Sequence, residues 1–296
     1  MAKLDYHPNL IAASLRRKKT GSIGFIIPDI SNLYFAFLAK NFNDILSQNN
    51  FDIIFSNTSY SVEKENEILN ILRSKRVDGI IIVPETTDPT SIENTIKSGI
   101  PVCIIEREIP EGNFDTVLID NKTAMFEATE YLIKLGHKSI GYMDRMVDKS
   151  HSIERRKGYL LALEKYNLPV KDELIFRCGF SSEDGYKAAN YFLNLNLKVT
   201  AILTSADFAA LGVIKYINNV GLSVPKNVSV IGFSDIPICP YTIPSLTSIH
   251  YPVTDIVKAS TNILLSKIED PSLVETRRVT LKANLVIRDS VGPCIL

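Results

Sequence analysis

The first twenty residues combine a short apolar segment with a run of positive charges. Tyr6–Leu15 is largely apolar, and the four cations Arg16–Lys19 follow it directly. Adjacent cations can neutralise the phosphates of a nucleic acid, and such binding weakens as the salt concentration rises. A solvated basic linker has the same composition. The residues alone therefore leave two interpretations open, a polyanion contact and a linker.

The residues from Pro8 to Arg17 also have the composition of a short helix. Proline suits the first turn of a helix, and Ala12 and Ala13 are good helix formers. A helix of about ten residues is marginal alone in water, where about 12–15 residues are needed. We therefore expect residues 1 to about 19 to be mobile in the free chain and helical only against a partner.

The sequence contains no catalytic motif and no metal-binding spacing. There is no GxSxG elbow, no P-loop and no GxGxxG following a predicted strand. The four cysteines are scattered, and the histidines do not flank them at the spacing of metal ligands. We predict that the protein is not an enzyme, and that it has no metal, no cofactor and no disulfide.

The composition is that of a globular protein with about two domains. The chain has 296 residues, of which 45% are apolar and 22% charged, and its net charge is zero. A neutral body has no general attraction for nucleic acids or membranes. No apolar run approaches the ~18 residues of a membrane span, and the N-terminus lacks the apolar core of a signal peptide. We predict a cytoplasmic protein with no membrane partner.

Behind the basic run, short apolar segments alternate with helical patterns. Ile23–Ile27 and Gly79–Val83 are rich in β-branched residues and barely alternate, as strands covered on both faces do. Phe35, Leu38 and Phe42 recur at the spacing of one helix face. Such alternation predicts βαβ units with parallel sheets, and the series restarts halfway along the chain. The predicted fold is α/β, with two doubly wound parallel-sheet lobes.

The last sixty residues are too few for a domain of their own, so we expect them to cross back between the lobes. The predicted division is a linker over 1–20, an N-terminal lobe over 21–133 plus 250–270, and a C-terminal lobe over 134–249 plus 271–296. Ligands of open α/β sheets lie beyond the carboxyl ends of the strands. The pattern therefore predicts a ligand cleft between the two lobes.

Polar and aromatic residues directly follow the first predicted strand. Asn32, Tyr34 and Phe35 stand where they can contact a ligand. A sugar or base has an apolar face that stacks on an aromatic ring and a polar edge that needs fixed donors and acceptors. The spacing of Phe35 with Leu38 and Phe42 also fits a core position, so the role of Phe35 stays open.

Eight short motifs follow one another from Tyr6 to Ile249. They are Tyr6-x-Pro8-Asn9-x-x-Ala12-x-Ser14-Leu15, Ile23-Gly24-x-Ile26-x-Pro28-Asp29-Ile30-Ser31-Asn32, Lys75-Arg76-Val77-Asp78-Gly79-Ile80, Leu135-Gly136-His137-Lys138-x-Ile140-Gly141, Arg155-x-x-Gly158-Tyr159, Ala201-Ile202-x-x-x-x-Asp207-x-x-Ala210-x-Gly212, Val224-Pro225-x-x-Val228-Ser229-Val230-Ile231-Gly232-Phe233 and Leu246-Thr247-x-Ile249. Each motif is weak alone, whereas their common order and near-constant spacing are specific. Together they resemble the LacI-type transcriptional repressors, whose effector domain is shared with periplasmic sugar-binding proteins, and the match as a whole runs to about Ser290.

The resemblance implies a helix-turn-helix head, a hinge helix and a two-lobed effector body that forms a homodimer. Only five residues precede Tyr6, so we expect the head to lie outside this chain. In the family, two hinge helices pair and enter the minor groove of operator DNA, where a leucine that matches Leu15 wedges into a base step. The resemblance assigns Asn9, Ser14 and Arg16 to the same DNA contact.

The resemblance also implies ligand contacts in the C-terminal lobe. Arg155 matches the effector-binding arginine of the family, whose planar fork of donors suits paired hydroxyls or a carboxylate. Asp120 matches an aspartate at the crossover between lobes that would hold Arg155 in place. Phe180 matches an aromatic residue that lines the site.

Two positions depart from the pattern of sugar-responsive members. This chain has Ala206 before Asp207 where many members have Asn, and Ser234 before Asp235 where many have Asp. We keep Asp207, Ser234 and Asp235 as predicted ligand contacts. Replacing a carboxylate with Ser234 removes a negative charge from the predicted cleft.

The loop after the first strand of the second series adds positive charge. Arg145 and Lys149 stand there, with His151 nearby, where the family usually has glycine and other small residues. If they face the ligand, the effector carries an anionic group, as a sugar phosphate or a carboxylated sugar does. A position facing solvent is the equally open alternative for both side chains.

The predicted function is the effector-sensing body of a transcriptional regulator, which binds a sugar or sugar derivative and couples it to operator binding. The alternative is a solute-binding protein of a sugar transporter with the same body. That protein would need a signal peptide and would not need Leu15 or the Arg16–Lys19 run.

Overall fold

A computed structural model of the chain describes residues 19–145 and 149–295. The predicted DNA contacts Asn9, Ser14, Leu15 and Arg16 lie outside the described residues. The chain forms two compact units, each made of two stretches of sequence. Unit 1 comprises the residues up to Leu118 with Val253–Thr280, and unit 2 comprises Ile119–Pro252 with the residues from Leu281 onward.

Twelve strands and eight α-helices are found in the described ranges. The strands are β1 Ser22–Ile27, β2 Asp52–Asn57, β3 Gly79–Ile82, β4 Val102–Ile105, β5 Asp115–Ile119, β6 Ile140–Arg145, β7 Ile175–Cys178, β8 Ala201–Leu203, β9 Ser229–Ser234, β10 Thr247–His250, β11 Arg278–Leu281 and β12 Asn284–Val286. The helices are α1 Leu33–Gln48, α2 Val62–Ser74, α3 Thr90–Lys97, α4 Asn121–Lys134, α5 Ser150–Lys165, α6 Ser182–Leu193, α7 Asp207–Asn219 and α8 Val253–Glu269.

Each unit contains a six-stranded sheet, with strand orders β11-β5-β4-β3-β1-β2 and β12-β10-β9-β8-β6-β7. In both, the chain leaves its first strand to one side and returns on the other, which places a topological switch point at β1/β3 and at β6/β8. Ile23 of β1 pairs in parallel with Ile53 of β2 and Gly79 of β3. The doubly wound α/β prediction is confirmed, and a crevice is expected at the carboxyl ends of the strands.

The strand β12 departs from the all-parallel expectation. It runs antiparallel to β10, with Ser248 opposite Val286. An edge strand has a neighbour on one side only and needs no crossover helix, so its direction is free to differ from that of the sheet.

The cores follow from the predicted apolar patterns. In unit 1, buried Leu69 and Leu72 of α2 pack with Ile26, Ile80 and Ile104 from three neighbouring strands. Ser61 caps α2 by accepting a hydrogen bond from Lys64 N at 3.1 Å, which satisfies one of the free amides of the first turn. Strand runs and helix caps of this kind position the loops that follow each strand.

The unit boundaries differ from the predicted ones at three places, the smallest being residues 250–252, which belong to unit 2. The helix α4 belongs to unit 2 rather than unit 1, because it packs closely against α5. The residues 271–280 belong to unit 1. Arg277 O accepts from Thr116 N at 2.8 Å, and Arg277 N donates to Asp115 Oδ1 at 2.8 Å. These bonds join the strand β11 to the edge of the first sheet.

Gly158 determines how closely α5 approaches α4. A Cβ atom at this position would lie 2.2 Å from Lys122 O and 2.9 Å from Phe126 N. We expect Gly158→Ala to lower the free energy of unfolding by about 2 kcal/mol, because the two backbones must separate to admit a methyl group. Urea unfolding of the two proteins measures the difference, and an unchanged midpoint would contradict this packing.

Candidate functional site

Arg155 on α5 is buried at the carboxyl end of the second sheet, with 7% of its surface exposed. Its Nε donates to Asn121 Oδ1 at 2.9 Å, its Nη1 to Ser205 O at 3.1 Å and its Nη2 to Tyr251 Oη at 2.7 Å. A guanidinium has five N–H donors, so each Nη keeps one N–H for a further acceptor. In the part of the chain that the structure describes, Arg155 has no carboxylate partner.

Two aromatic rings flank this guanidinium. The Cζ of Arg155 lies 3.5 Å from the ring centre of Phe233 and 5.8 Å from that of Tyr251. Stacking on an aromatic face contributes about 0.5–2 kcal/mol and offsets part of the cost of burying the charge. The rings and neutral acceptors hold the guanidinium in one orientation while its positive charge stays uncompensated by an acid.

The predicted contact between Asp120 and Arg155 is not observed. The side chain of Asp120 caps α4 by accepting from Thr123 N at 3.0 Å, and an N-cap side chain points back to the first turn of its own helix. The next residue, Asn121, holds Arg155 instead. Its Oδ1 also accepts from Tyr251 Oη at 2.6 Å, and its Nδ2 donates to Ile119 O at 3.2 Å.

Asp207 is buried at the start of α7, with 2% of its surface exposed. Its Oδ1 accepts from Ser248 Oγ at 2.5 Å and its Oδ2 from Ile236 N at 2.9 Å. A Cβ atom on Gly232 would lie 2.2 Å from Oδ1, so the glycine leaves room for the carboxyl group. Burial raises the pKa of Asp207 to about 6. These bonds tie the loop after β9 to β10, and they give Asp207 a positioning role.

Ser234 ends β9 and Asp235 begins the loop after it, and both have positive φ angles, of 107° and 53°. The carboxylate of Asp235 pairs with His250 Nδ1 at 3.0 Å and with Arg288 Nη1 at 2.7 Å. Burial acts to raise the pKa of Asp235, but the hydrogen bonds from His250 and Arg288 outweigh it and hold the pKa below its usual value. The charge of Asp235 is therefore neutralised locally.

The structure brings Arg145 and Phe180 together. The guanidinium of Arg145 lies 4.7 Å from the ring centre of Phe180. Arg145 N donates to Asp144 Oδ1 at 2.9 Å, and the buried carboxylate of Asp144 pairs with Arg156 at 2.5 Å. Lys149 stands directly before α5, where its backbone N–H donates to Ser152 Oγ at 3.1 Å. The residues 146–148 between them lie outside the described ranges.

In unit 1, Asn32 and Tyr34 are both engaged within the fold. The Oδ1 of Asn32 accepts from Tyr34 N at 3.0 Å and so caps α1. The hydroxyl of the buried Tyr34 donates to Glu106 Oε1, directly after β4. Phe35 is buried, with its ring centre 5.2 Å from that of Tyr34, which supports the core alternative for Phe35.

The loop after β3 is held by buried charges that sequence analysis did not single out. Arg107 Nη1 donates to Glu85 Oε1 at 2.7 Å and to Pro84 O at 2.8 Å. The carboxylate of Glu65 accepts from Glu85 N at 2.6 Å and from Thr86 N at 3.2 Å. Burial raises the pKa of Glu65. Because each partner comes from a different element, no local pattern could have identified this cluster.

Neither a metal-binding cluster nor a membrane-spanning helix is found across residues 19–145 and 149–295. No three His, Cys, Asp or Glu side chains are grouped there in a way that could hold a metal ion. None of the helices in these ranges combines the length and apolar character that a membrane crossing requires.

The two α/β units, with polar and aromatic side chains at the carboxyl ends of their strands, define a small-molecule-binding protein of the doubly wound class. The model of the family described as periplasmic binding proteins and sugar binding domain of LacI family matches residues 20–276. The chain belongs to this family.

Individual relatives agree with this assignment. Catabolite control protein A of Priestia megaterium is 34% identical, over 97% of this chain and 87% of its own length. The transcriptional repressor PurR of Actinobacillus pleuropneumoniae is 32% identical, over 98% and 86%. A LacI family transcriptional regulator from Enterococcus faecium, solved with bound ribose, is similar with a TM-score of 0.83 at 27% identity, covering 93% of this chain and 100% of that one. These relatives are transcriptional regulators, which favours a regulator over a transporter component.

Proposed function

We propose that this chain is the effector-sensing body of a LacI-type transcriptional regulator, which binds a sugar or sugar derivative and couples its presence to operator DNA. The observation that carries the proposal is the buried guanidinium of Arg155, which is oriented by three neutral acceptors and two rings and keeps free N–H donors. A ligand with paired oxygens can accept from both Nη atoms at once.

We further propose that the effector carries an anionic group. Within unit 2, Asp144 is neutralised by Arg156 and Asp235 by Arg288. Arg155 lacks a carboxylate partner among the described residues, and an oxyanion of the effector would supply the counter-charge of its guanidinium. The guanidinium of Arg145 lies at the same end of the sheet, over the ring of Phe180.

Coupling requires that the effector bind two conformations of the protein with different affinities. A ligand shifts such an equilibrium only by that difference. We propose that the protein acts as a cytoplasmic homodimer whose paired N-terminal segments contact operator DNA, and that it performs no catalysis on the effector. Sedimentation measures the molecular mass, and a strict monomer would contradict the paired arrangement.

The test compares D-ribose with D-ribose 5-phosphate, chosen because the related Enterococcus faecium regulator was solved with ribose. We expect the phosphorylated sugar to bind more tightly in calorimetric titration. At ~100 times its dissociation constant it should add about 2.7 kcal/mol to stability in a thermal-shift assay. Tighter binding of the neutral sugar would contradict the anionic effector. If no sugar, sugar phosphate or nucleoside stabilised the protein, the effector-sensing proposal would fail as a whole.

A further inference from the structure

We infer that a basic groove at the amino-terminal edge of the first sheet binds phosphates of the DNA backbone, an inference that rests on the proposed function. The groove has a volume of about 550 Å³. It lies where the chain enters β1, β3 and β4, at the opposite end of the strands from the candidate effector contacts of unit 1. The charged residues of its lining are Lys19, Arg73, Arg76, Asp78 and Lys267.

Three of these cations have no acidic partner. In the part of the chain that the structure describes, Lys19, Arg73 and Arg76 form no ion pair. Lys267 is different, because its Nζ lies 2.6 Å from Asp115 Oδ2 and that carboxylate neutralises it. The groove therefore has a local excess of positive charge, although the chain as a whole has a net charge of zero.

The one acid in the lining is occupied by backbone donors. The carboxylate of Asp78 accepts from Thr20 N at 3.0 Å, Gly21 N at 2.6 Å and Ser22 N at 3.3 Å. These bonds use both oxygens of Asp78, so the acid is not an ion-pair partner for the arginines. They also fix Lys19, which directly precedes Thr20, beside the groove.

Helix dipoles provide the competing explanation for the cations. The helices α2, α3 and α8 end at this edge, since Ser98 and Gly99 after α3 also line the groove, and each C-terminus carries about half a negative charge that a nearby cation stabilises. The three ends and the carboxylate of Asp78 sum to about 2.5 negative charges, which is less than the three unpaired cations. The dipoles therefore account for part of the positive charge, and an excess remains for an anionic ligand.

The backbone of Arg76 gives independent support. Its φ is 54°, in the left-handed region. Arg76 N donates to Arg73 O at 2.9 Å and Val77 N to Leu72 O at 3.3 Å, the Schellman ending of α2. The left-handed residue of this motif is usually glycine, since a side chain there costs about 1 kcal/mol. An arginine at a position that favours glycine indicates that its side chain has a role outside the fold.

Chain connectivity identifies DNA as the source of the phosphate. Lys19 lines the groove and closes the basic run Arg16–Lys19. Leu15, the predicted minor-groove residue, is four residues away, which is at most about 14 Å of extended chain. A duplex held by that segment presents one phosphate charge per ~1.7 Å of axis, so several phosphates come within reach of Arg73 and Arg76.

The test measures binding of the whole chain to a fluorescent duplex of arbitrary sequence as a function of salt. The affinity for DNA falls as salt rises, so the slope of log K against log salt is negative. Each lost phosphate contact reduces the magnitude of this slope by about 0.9, which corresponds to about 8-fold weaker binding at 0.1 M salt. We expect Arg73→Gln with Arg76→Gly to lower the magnitude of the slope by about two. Arg76→Gly alone should lower it by about one without lowering the unfolding temperature, because glycine relieves the left-handed backbone.

A charge-matched control is Lys215→Gln with Lys226→Gln, two exposed lysines of unit 2, which should leave the slope unchanged. Equal effects of the two double variants, an unaffected slope in the arginine variant, or no DNA binding by the unmodified chain at low salt would each overturn the inference. Binding of pyrophosphate tests the alternative that the groove binds a free phosphate compound and not DNA. If it stabilised the unmodified chain but not the arginine variant while DNA binding stayed equal, the groove would bind free phosphates and the DNA inference would be wrong. The response to D-ribose 5-phosphate should be the same in every variant, which separates this test from that of the proposed function.

Discussion

Arg155→Gln is expected to weaken the binding of D-ribose 5-phosphate by about 100-fold or more. The guanidinium offers one free N–H on each Nη, and a hydrogen bond to a charged group contributes about 1.5–3 kcal/mol. Two such bonds correspond to at least about 3 kcal/mol, and one factor of ten in affinity is 1.4 kcal/mol. Isothermal titration of the two proteins with the same ligand measures the difference.

The loss should not reflect misfolding. Breaking a buried ion pair is costly because it leaves an acid without its partner, but Arg155 has no acidic partner among the described residues. Tyr251→Phe is the matched control, because it removes the acceptor of Nη2 and keeps the charge. We expect it to weaken binding by only about tenfold, the effect of one hydrogen bond of about 1.4 kcal/mol. Affinity for the effector that is equal in the Arg155→Gln variant and the unmodified protein would show that the ligand binds elsewhere.

Asp207→Ala is expected to lower the free energy of unfolding by about 3 kcal/mol. The substitution leaves two buried donors, Ile236 N–H and Ser248 Oγ–H, without their acceptor. Each unsatisfied buried donor costs about 1–3 kcal/mol. Urea unfolding at pH 7 measures the loss. If stability fell by less than about 1 kcal/mol, Asp207 would not hold the loop after β9 to β10.

Asp207→Asn tests the charge of the same side chain. Burial raises the pKa of Asp207 from 3.8 to about 6, so the folded protein binds a proton more readily than the unfolded chain. This group therefore stabilises the fold increasingly as the pH falls from about 7 to about 4, by up to about 3 kcal/mol at 1.36 kcal/mol per pH unit. As the pH falls from about 7 to about 4, we therefore expect the free energy of unfolding of the unmodified protein to rise relative to that of the Asp207→Asn variant.

Asp235 provides a control of opposite sign. Its pKa is held below the usual value, with the bonds from His250 and Arg288 outweighing the effect of burial. Its contribution to stability is therefore present above the ordinary aspartate pKa of ~3.9 and is lost as the pH falls further. The opposite outcome for Asp207 would be that the Asp207→Asn variant and the unmodified protein show the same change of stability between pH 7 and pH 4. Asp207 would then be ionised in the folded protein over that whole interval.

The amino-acid sequence by itself determined the order and type of the elements. The strands predicted over Ile23–Ile27 and Gly79–Val83 are observed as β1 and β3, and the hydroxyl of Ser61 caps α2 three residues from the amide that it accepts from. These features depend on neighbours in the chain, because a run of β-branched residues or a capping hydroxyl acts within a few positions. The motifs that indicated the LacI family are also local, and the family assignment agrees with them.

Only the tertiary structure decided which side chains surround Arg155. The sequence pointed to Asp120, but the acceptors are Asn121, Ser205 and Tyr251, which are 34, 50 and 96 positions away. It also decided that α4 belongs to unit 2, through the close approach at Gly158. Contacts between distant segments depend on how whole elements pack, and periodicity along the chain carries no information about the element that lies opposite.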